Sequence, residues 1–230
     1  MTTPILLLHG ALGSAAQFDI LKTHLPKDRP VFALNFPGHG GEPTDAPFSM
    51  KGFSDFVLQF LEKEKISQAD IFGYSMGGYV ALYLAWKNPE RVRRIFTLGT
   101  KLDWSPETAA SMNRMFNPEK IEAKVPQFAE SLAKTHTPLD WKEVCRNTAA
   151  FLADLGDGKG IPKEAFGQIA CPVTIGLGDS DNVVTQEESR TVADALPNGR
   201  FEILAGCKHP IEQTDFVLLA ERVKEFFAEM

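Results

Sequence analysis

Residues 70–82 read DIFGYSMGGYVAL and place Ser75 between two closely spaced glycines. Apolar residues precede the serine, and a run of helix-forming residues follows it. This order predicts a buried strand, a very tight turn and a helix, with the serine in the turn. Because Gly73 and Gly77 have no Cβ, the backbone can double back between them, and we expect a positive φ at Ser75. The stretch makes Ser75 a candidate nucleophile.

Short apolar runs recur along the chain, with helical patterns between them. Because the runs are continuous rather than alternating, they are typical of strands covered on both faces. The predicted strands are Ile5–Leu8, Val31–Phe36, the run around Ile71–Phe72, Ile95–Leu98, Val173–Leu177 and Phe201–Leu204. The predicted helices between them are Ser54–Lys65, Gly77–Asn88, Glu187–Leu196 and Phe216–Met230. The alternation predicts an α/β fold with a doubly wound, mostly parallel sheet of about six strands.

Residues 101–167 show no strand pattern. The predicted helices of this segment are Pro106–Phe116, Ile121–Thr135 and Leu139–Leu155. The glycine-rich stretch 156–160 is expected to form a flexible connection out of this helical segment. We therefore predict a helical cap at 101–167, inserted into a core made of residues 1–100 and 168–230. Its large apolar side chains either pack the cap onto the core or line a substrate pocket; they are Trp104, Met112, Met115, Phe116, Phe128, Leu132, Trp141 and Phe151.

A serine hydroxyl is a weak nucleophile until a base accepts its proton. Among the five histidines, His209 follows the last predicted strand, at the carboxyl end where α/β sheets place functional groups. His209 is therefore the candidate base. His9 follows the first strand and is expected to shape a loop, His39 lies in a turn, and His24 and His136 are expected at the surface.

A histidine base needs a carboxylate that orients the ring and stabilises its charged form. The fifth predicted strand runs into GLGDSDNVV at 176–184, which offers Asp179 and Asp181. Asp103, beyond the fourth strand, is a third candidate. Either of the first two could instead cap the next helix, so the residues alone leave the choice open.

Together these segments resemble the α/β-hydrolase family, in its capped, carboxylesterase-like group of serine hydrolases. The matching stretches are His9-Gly10, Pro37-Gly38-His39-Gly40, Gly73-Tyr74-Ser75-Met76-Gly77, Gly178-x-x-Asp181-x-x-Val184 and His209. They cover essentially the whole chain in the family's order of serine, acid and histidine. The resemblance selects Asp181 as the acid and implies a catalytic triad of Ser75, Asp181 and His209.

The resemblance also implies an oxyanion hole made by the backbone N–H groups of Ala11 and Met76. Candidate substrate-binding residues are His9, Tyr74, Trp104, Met112, Phe116, Phe128 and Trp141. Some positions depart from the family pattern: Asn35 replaces a frequent aspartate, Glu42 a frequent serine, and Lys208 the glycine that usually precedes the histidine. None of these departures removes a reacting group.

The implied activity is hydrolysis of carboxylic esters or thioesters of small to medium apolar acids, through an acyl-enzyme on Ser75. A serine at this position excludes the family's haloalkane dehalogenases and epoxide hydrolases, which need an aspartate there. One alternative is a cofactor-free C–C hydrolase or lyase resembling the menaquinone-pathway SHCHC synthase, although Tyr79 stands where that group has an arginine. Another is a non-catalytic, ligand-binding member of the fold.

The composition of the chain limits which classes of partner and which compartment we expect. The net charge of −6 over 230 residues argues against a nucleic-acid or anionic-membrane partner. Three widely spaced cysteines without a CxxC pair indicate a reducing compartment and no structural zinc. The first apolar run, Ile5–Leu8, is too short for a signal peptide or a membrane span. We expect a cytoplasmic monomer or homodimer that takes a small-molecule ester or thioester and uses no cofactor or metal.

Overall fold

A computed structural model describes residues 2–228, and its centre is a parallel sheet of six strands. The strands are Ile5–Leu8 (β1), Val31–Leu34 (β2), Ala69–Tyr74 (β3), Val92–Leu98 (β4), Val173–Gly178 (β5) and Gly199–Leu204 (β6). Their spatial order is β2-β1-β3-β4-β5-β6, and every neighbouring pair is parallel. The predicted α/β fold with about six mostly parallel strands is confirmed.

Helices cover both faces of the sheet. The helices are Asp19–His24 (α1), Met50–Lys63 (α2), Met76–Lys87 (α3), Pro106–Asn113 (α4), Pro118–Lys124 (α5), Pro126–His136 (α6), Trp141–Asp154 (α7), Gln186–Ala195 (α8) and Phe216–Ala228 (α9). In β1, Ile5 and Leu7 belong to the apolar cluster shared with α1 and α9, whereas Leu6 and Leu8 belong to the cluster shared with α2, α3 and α8. Both faces are therefore buried, which explains the continuous apolar runs. Within residues 2–228, none of these helices has both the length and the apolar character that crossing a bilayer requires.

Element boundaries differ from the sequence prediction by a few residues. Strand β2 ends at Leu34, two residues before the predicted end. Helix α2 begins four residues before the predicted Ser54, because the Ser49 side chain accepts the Gly52 N–H at 3.0 Å and caps the helix there. The predicted end of the last helix, residues 229–230, lies outside the described residues.

Residues 101–167 contain helices α4 to α7 and shorter turns, without a strand. The prediction of one helix over Ile121–Thr135 is wrong, because it is divided at Val125. Pro126 begins α6, and a proline restricts the residue before it to non-helical backbone, here φ −139° and ψ 61°. In the predicted connection at 156–160 the backbone leaves the helical region at Gly158, whose φ is 83°, and Gly156 is buried; the flexibility of this stretch stays a prediction. The division of the chain into a cap (101–167) and a core stays a prediction.

The topology brings the predicted site residues to one edge of the sheet. Leu8 at the end of β1 lies beside Gly73 in β3, so the loop that follows β1 lies next to Ser75. Gly178 at the end of β5 lies beside Leu204 at the end of β6, so the loops that carry Asp181 and His209 are neighbours. Because all the strands are parallel, these carboxyl ends meet on the same side.

Candidate active site

Ser75 occupies a strained turn between β3 and α3. Its φ is 50° and its ψ is −116°, which confirms the predicted positive φ. The turn is very tight: a Cβ on Gly77 would lie 2.1 Å from the Leu8 carbonyl oxygen, and one on Gly73 would lie 2.4 Å from the Gly78 Cα. Only glycine fits such approaches. Strain of this kind costs on the order of 1–3 kcal/mol, so the surroundings must hold the turn.

Besides the bonds from the first turn of α3, two hydrogen bonds to β4 and the residues after it hold the Ser75 backbone. Its N–H donates to the Leu98 carbonyl at the end of β4, at 2.8 Å. The Thr100 hydroxyl donates to the Ser75 carbonyl at 3.0 Å. The backbone of the candidate nucleophile is therefore fixed by the neighbouring strand, while its hydroxyl faces the cavity described below.

His209 lies between Ser75 and Asp181. Its Nε2 is 3.4 Å from Ser75 Oγ, and its Nδ1 is 2.8 Å from Asp181 Oδ2. Because a carboxylate only accepts hydrogen bonds, Nδ1 carries the proton of the neutral ring and Nε2 is free to accept the serine proton. The Tyr74 hydroxyl donates to the His209 carbonyl at 2.8 Å and anchors the loop that carries the ring.

The structure separates the three aspartates that the sequence left open. Asp181 is the one in contact with His209, and its other oxygen accepts the N–H groups of Val183 and Val184 at 2.8 and 2.9 Å. Burial raises the pKa of Asp181, but the bonds from His209 and these two N–H groups outweigh burial and lower it below its ordinary value. Asp179 instead accepts the Gly206 N–H, and Asp103 pairs with Lys163 at 3.0 Å.

The two residues whose N–H groups are predicted to form the oxyanion hole, Ala11 and Met76, lie beside Ser75 at one cavity. Ala11 and Met76 line the cavity together with Ser75. Within residues 2–228, neither N–H donates to another backbone or side-chain group, so both are available to a ligand. Met76 is also the first residue of α3, where the helix dipole favours negative charge.

His9 lies beneath these N–H groups, and it is not among the residues that line the cavity, so the structure does not bring it to the surface where a substrate would bind. It is fully buried; its Nδ1 donates to the Gly10 carbonyl at 2.8 Å, and its Nε2 accepts the Phe36 N–H at 3.1 Å. The Gly10 carbonyl and the Ala11 N–H belong to one planar peptide group and point in opposite directions. By fixing the carbonyl, His9 therefore fixes the direction of the Ala11 N–H.

An apolar cavity of about 230 Å³ opens above Ser75 and His209. Five of the predicted substrate-binding residues line it: Tyr74, Trp104, Met112, Phe116 and Phe128. Trp141 does not line the cavity, because it is buried in an apolar cluster of α7 and its neighbours. Met115 and Phe151, for which the sequence leaves packing and lining open, also line it. The sequence reasoning missed the other lining residues, namely Leu12, Met50, Tyr79, Lys101, Leu152, Leu155 and Val183.

A second groove of about 430 Å³, which is less apolar than the cavity, adjoins it. The two share Ala11, Leu12, Tyr74, Phe128 and His209. The polar side chains of the groove are Ser14, Gln17, Ser131, Thr135 and Glu212. Gln17 Nε2 donates to Glu212 Oε1 at 2.7 Å, which links the loop after β1 to the segment after His209.

His136 is fully buried, so its expected surface position is wrong. It ends α6 and lies against the core, where Nδ1 accepts the Gly40 N–H and Nε2 donates to the Leu12 carbonyl, each at 3.1 Å. His39 is also buried, with its ring centroid 5.1 Å from that of His9 and 5.8 Å from that of His136. His24 is exposed, as predicted.

No side-chain cluster suited to a metal ion, with three or more histidine, cysteine, aspartate or glutamate residues, occurs in the described part of the chain. Cys145, Cys171 and Cys207 are unpaired thiols. Asn35, one of the departures from the family pattern, is accommodated: its Oδ1 accepts the Ala15 N–H at 2.7 Å, and its Nδ2 donates to the Gly40 carbonyl at 3.2 Å. The amide therefore joins the loops after β1 and β2.

With this geometry established, comparison with known proteins places the chain in a family. The sequence profile of the alpha/beta hydrolase fold matches residues 3–150. The chain belongs to the α/β-hydrolase fold family. It is 26% identical over 258 residues to a 2-hydroxymuconate semialdehyde hydrolase of Pseudomonas sp. (strain CF600), covering 98% of this chain and 87% of that protein.

A second relative has a higher sequence identity to the chain, over a shorter stretch. The chain is 40% identical over 91 residues to a pimeloyl-[acyl-carrier protein] methyl ester esterase of Neisseria meningitidis, covering 40% of this chain. The match spans only about a third (34%) of that relative's length. Among solved structures, a thermophilic esterase from Thermogutta terrifontis superposes with a TM-score of 0.79 at 17% identity, covering 98% of this chain and 89% of that one, which shows a shared fold.

The buried histidines predict an acid-sensitive fold. Burial lowers the pKa of His9 from 6.5 to about 4 and also lowers the pKa values of His39 and His136. Because the unfolded chain binds these protons first, the free energy of unfolding falls as the pH drops from 6.5 towards 4. His9 alone contributes a loss of about 3 kcal/mol when the change is complete. Urea unfolding at pH 7.5, 6.0 and 5.0 measures this decline.

The exposed His24 provides the control for that experiment. The variant His24→Gln should show the same pH dependence as the wild type, because His24 is exposed and is not one of the buried histidines that produce the effect. A free energy of unfolding that stays constant between pH 7 and 5 would contradict the burial of neutral histidines. Ordinary carboxylates titrate mostly below this range, so they do not produce the effect.

Proposed function

We propose that the protein is a serine hydrolase that cleaves carboxylic esters of small to medium apolar acids through an acyl-enzyme on Ser75. The observation that carries the proposal is the continuous set of contacts from Asp181 through His209 to Ser75, at the floor of an apolar cavity. Beside the serine lie the N–H groups of Ala11 and Met76, which donate to no group of the described residues. These are the parts that acyl transfer needs: a nucleophile, a base, an orienting carboxylate and an oxyanion hole.

In the proposed mechanism, His209 Nε2 accepts the Ser75 proton as Oγ attacks the ester carbonyl. The resulting oxyanion is bound by the Ala11 and Met76 N–H groups, each of which contributes about 3–4 kcal/mol of transition-state stabilisation. Asp181 stabilises the positive charge that forms on His209. His209 then gives its proton to the leaving alcohol, which leaves the acyl-enzyme. In the second half, His209 accepts a proton from water as the water oxygen attacks the acyl carbonyl; it returns this proton to Ser75 Oγ when the carboxylic acid is released. The 3.4 Å separation of Ser75 and His209 is expected to shorten when substrate binds.

The apolar cavity suits the acyl group. Its lining side chains are mainly aromatic and methionine residues from the predicted cap, such as Trp104, Met112 and Phe116. Its volume of about 230 Å³ fits a short or medium acyl chain. The relative from Neisseria meningitidis, whose name describes a methyl ester esterase, supports ester cleavage as the reaction.

The second groove suits the leaving group. His209 must protonate the departing oxygen, and it lines both the cavity and the groove, whereas Ser75 lines only the cavity. The groove contains hydroxyl and amide groups and the exposed carboxylate of Glu212, and none of the described residues that line it is a lysine or arginine. It therefore favours an alcohol with further hydroxyl groups over an anionic leaving group.

A C–C hydrolase or lyase is the second candidate, because the relative from strain CF600, whose name describes a 2-hydroxymuconate semialdehyde hydrolase, aligns over nearly the whole chain. Substrates that carry a carboxylate need a cation to hold it. Tyr79, where the related lyases have arginine, uses its hydroxyl oxygen to accept the Ile161 N–H at 2.8 Å, and burial raises the pKa of Tyr79 to about 12. Lys101, which lines the cavity, is paired with Glu188 at 2.5 Å. These contacts favour an uncharged ester.

Three substitutions test the assigned roles with p-nitrophenyl butyrate. Ser75→Ala removes the nucleophile, and we expect a loss in kcat/KM of roughly 10⁴-fold or more. Asp181→Asn disturbs the tautomer of His209, with an expected loss of about 10³–10⁴-fold. Asp179→Asn is the matched control, because Asp179 bonds the Gly206 N–H and not His209, and its effect should stay within about threefold.

Two results would overturn these roles. Equal, slow hydrolysis by the wild type and Ser75→Ala would show that the protein is a ligand-binding member of the fold rather than an esterase. A larger loss in Asp179→Asn than in Asp181→Asn would show that the acid is misassigned. Butyrate, hexanoate and decanoate esters compared in the same assay measure the length of acyl chain that the cavity takes.

The leaving-group assignment predicts a preference for glycerol monobutyrate over propyl butyrate, which have the same acyl group. One or two additional hydrogen bonds in the groove should raise kcat/KM by about 3–10-fold for the glycerol ester. Glu212→Gln should reduce the preference, whereas Glu130→Gln, which makes the same charge change on α6 outside the groove, should leave it unchanged. Equal kcat/KM for the two esters would contradict the assignment.

A further inference from the structure

A polar bridge connects the predicted cap to the loop that carries Ala11. His136, the last residue of α6, is fully buried and bonds two core loops at once. Its Nε2 donates to the Leu12 carbonyl, and its Nδ1 accepts the Gly40 N–H, both at 3.1 Å. The pair of bonds requires a neutral ring with its proton on Nε2. Burial, which lowers the pKa of His136, favours that neutral state.

Leu12 is the least relaxed residue of this loop. Its φ of 57° lies in the left-handed region that residues other than glycine seldom adopt. The Gly13 N–H donates to the Gly10 carbonyl at 3.0 Å and closes a four-residue turn with Leu12 in its third position. A positive φ at that position of a turn is usually provided by glycine. A leucine there needs an external contact to hold it, and its carbonyl is the group that His136 bonds.

The carbonyls of the residues before and after Ala11, those of Gly10 and Leu12, each accept a hydrogen bond from a neutral imidazole. His9 holds the Gly10 carbonyl from the core, and His136 holds the Leu12 carbonyl from the predicted cap. Relaxation of Leu12 would turn the adjoining peptide groups, because the turn contains only two central residues. The Gly13 N–H would then lose its bond to the Gly10 carbonyl, and only the bond from His9 would hold the peptide group that contains the Ala11 N–H.

We infer that His136 is a positioning residue for the oxyanion hole, because its bond to Leu12 keeps the Ala11 N–H aimed at the oxygen of the tetrahedral intermediate. The inference rests on the proposed esterase function.

Three variants of His136 separate its two bonds. In His136→Gln the amide nitrogen can reach the position of Nε2 and donate to Leu12. In His136→Asn the shorter amide reaches the position of Nδ1, where it can accept the Gly40 N–H but cannot reach Leu12. His136→Phe keeps an aromatic ring and loses both bonds. Thr148→Val is the control for general loss of stability, because the buried Thr148 hydroxyl donates only to the Val144 carbonyl within α7.

We expect His136→Asn and His136→Phe to lower kcat for p-nitrophenyl butyrate by about tenfold or more, part of the effect of losing one oxyanion donor. KM should change by less than about twofold, because ground-state contacts remain. Affinity for a trifluoromethyl ketone, whose adduct carries the same oxyanion, should fall by the factor seen in kcat/KM. His136→Gln should stay within about threefold of the wild type, and Thr148→Val should keep its kcat despite a lower Tm.

Hydrogen exchange of residues 10–14 without substrate gives a second reading. It should be faster in His136→Asn and His136→Phe than in His136→Gln or Thr148→Val. A wild-type kcat in His136→Phe, or equal behaviour of the Asn and Gln variants in both measurements, would overturn the positioning role while the esterase function stands. A wild type that hydrolyses no ester would instead overturn the proposed function, and the role of His136 in it.

Discussion

The tight turn at Ser75 is the constraint on which the arrangement of the site depends. It holds the serine at φ 50° and brings three strands within contact: Gly77 lies against the Leu8 carbonyl at the end of β1, and the Ser75 N–H bonds Leu98 at the end of β4. The turn thereby sets the distance from the serine to the Ala11 loop. Any side chain at Gly77 would separate these strand ends and move Ser75, the proposed nucleophile, away from the N–H groups around it.

The backbone of the site is held in place by features that each cost folding free energy. His9, His39 and His136 are neutral and buried, and Ser75 and Leu12 both have positive φ. Each of these features reduces stability on its own, and hydrogen bonds to backbone groups compensate for it. The histidines connect the loops after β1 and β2 with α6, which are the segments that must keep a fixed relation for an oxyanion hole to work. Rigidity at this edge of the sheet is therefore obtained at the expense of stability in acid.

Sequence reasoning predicted the features that depend on local pattern. Continuous apolar runs identified the strands, and the glycines around Ser75 identified its turn and its positive φ, because both are short-range effects. The position of His209 followed from the rule that parallel strands end at one edge. Asp181 could be chosen over Asp179 only through the family resemblance, since both follow the same strand. The structure shows why the side chains differ: two N–H groups hold Asp181 towards His209, and Gly206 holds Asp179 away.

The features that sequence reasoning missed depend on contacts between distant segments. His136 and Trp141 lie on amphipathic helices, and their sequence does not show which residues of the core will cover them. The break at Val125 could have been predicted from Pro126, but the helical pattern on both sides concealed it. The role of His9 could not be predicted from its position after β1. It depends on a hydrogen bond from the N–H of Phe36, 27 residues away, to the Nε2 of His9.

Mass spectrometry of the protein after reaction with an aryl phosphonate tests the central claim, the nucleophilic role of Ser75, most directly. The account predicts one covalent adduct, mapped to Ser75, that is absent from Ser75→Ala and forms much more slowly in His209→Ala. An adduct on a different residue, or wild-type esterase activity that survives without any adduct on Ser75, would contradict it.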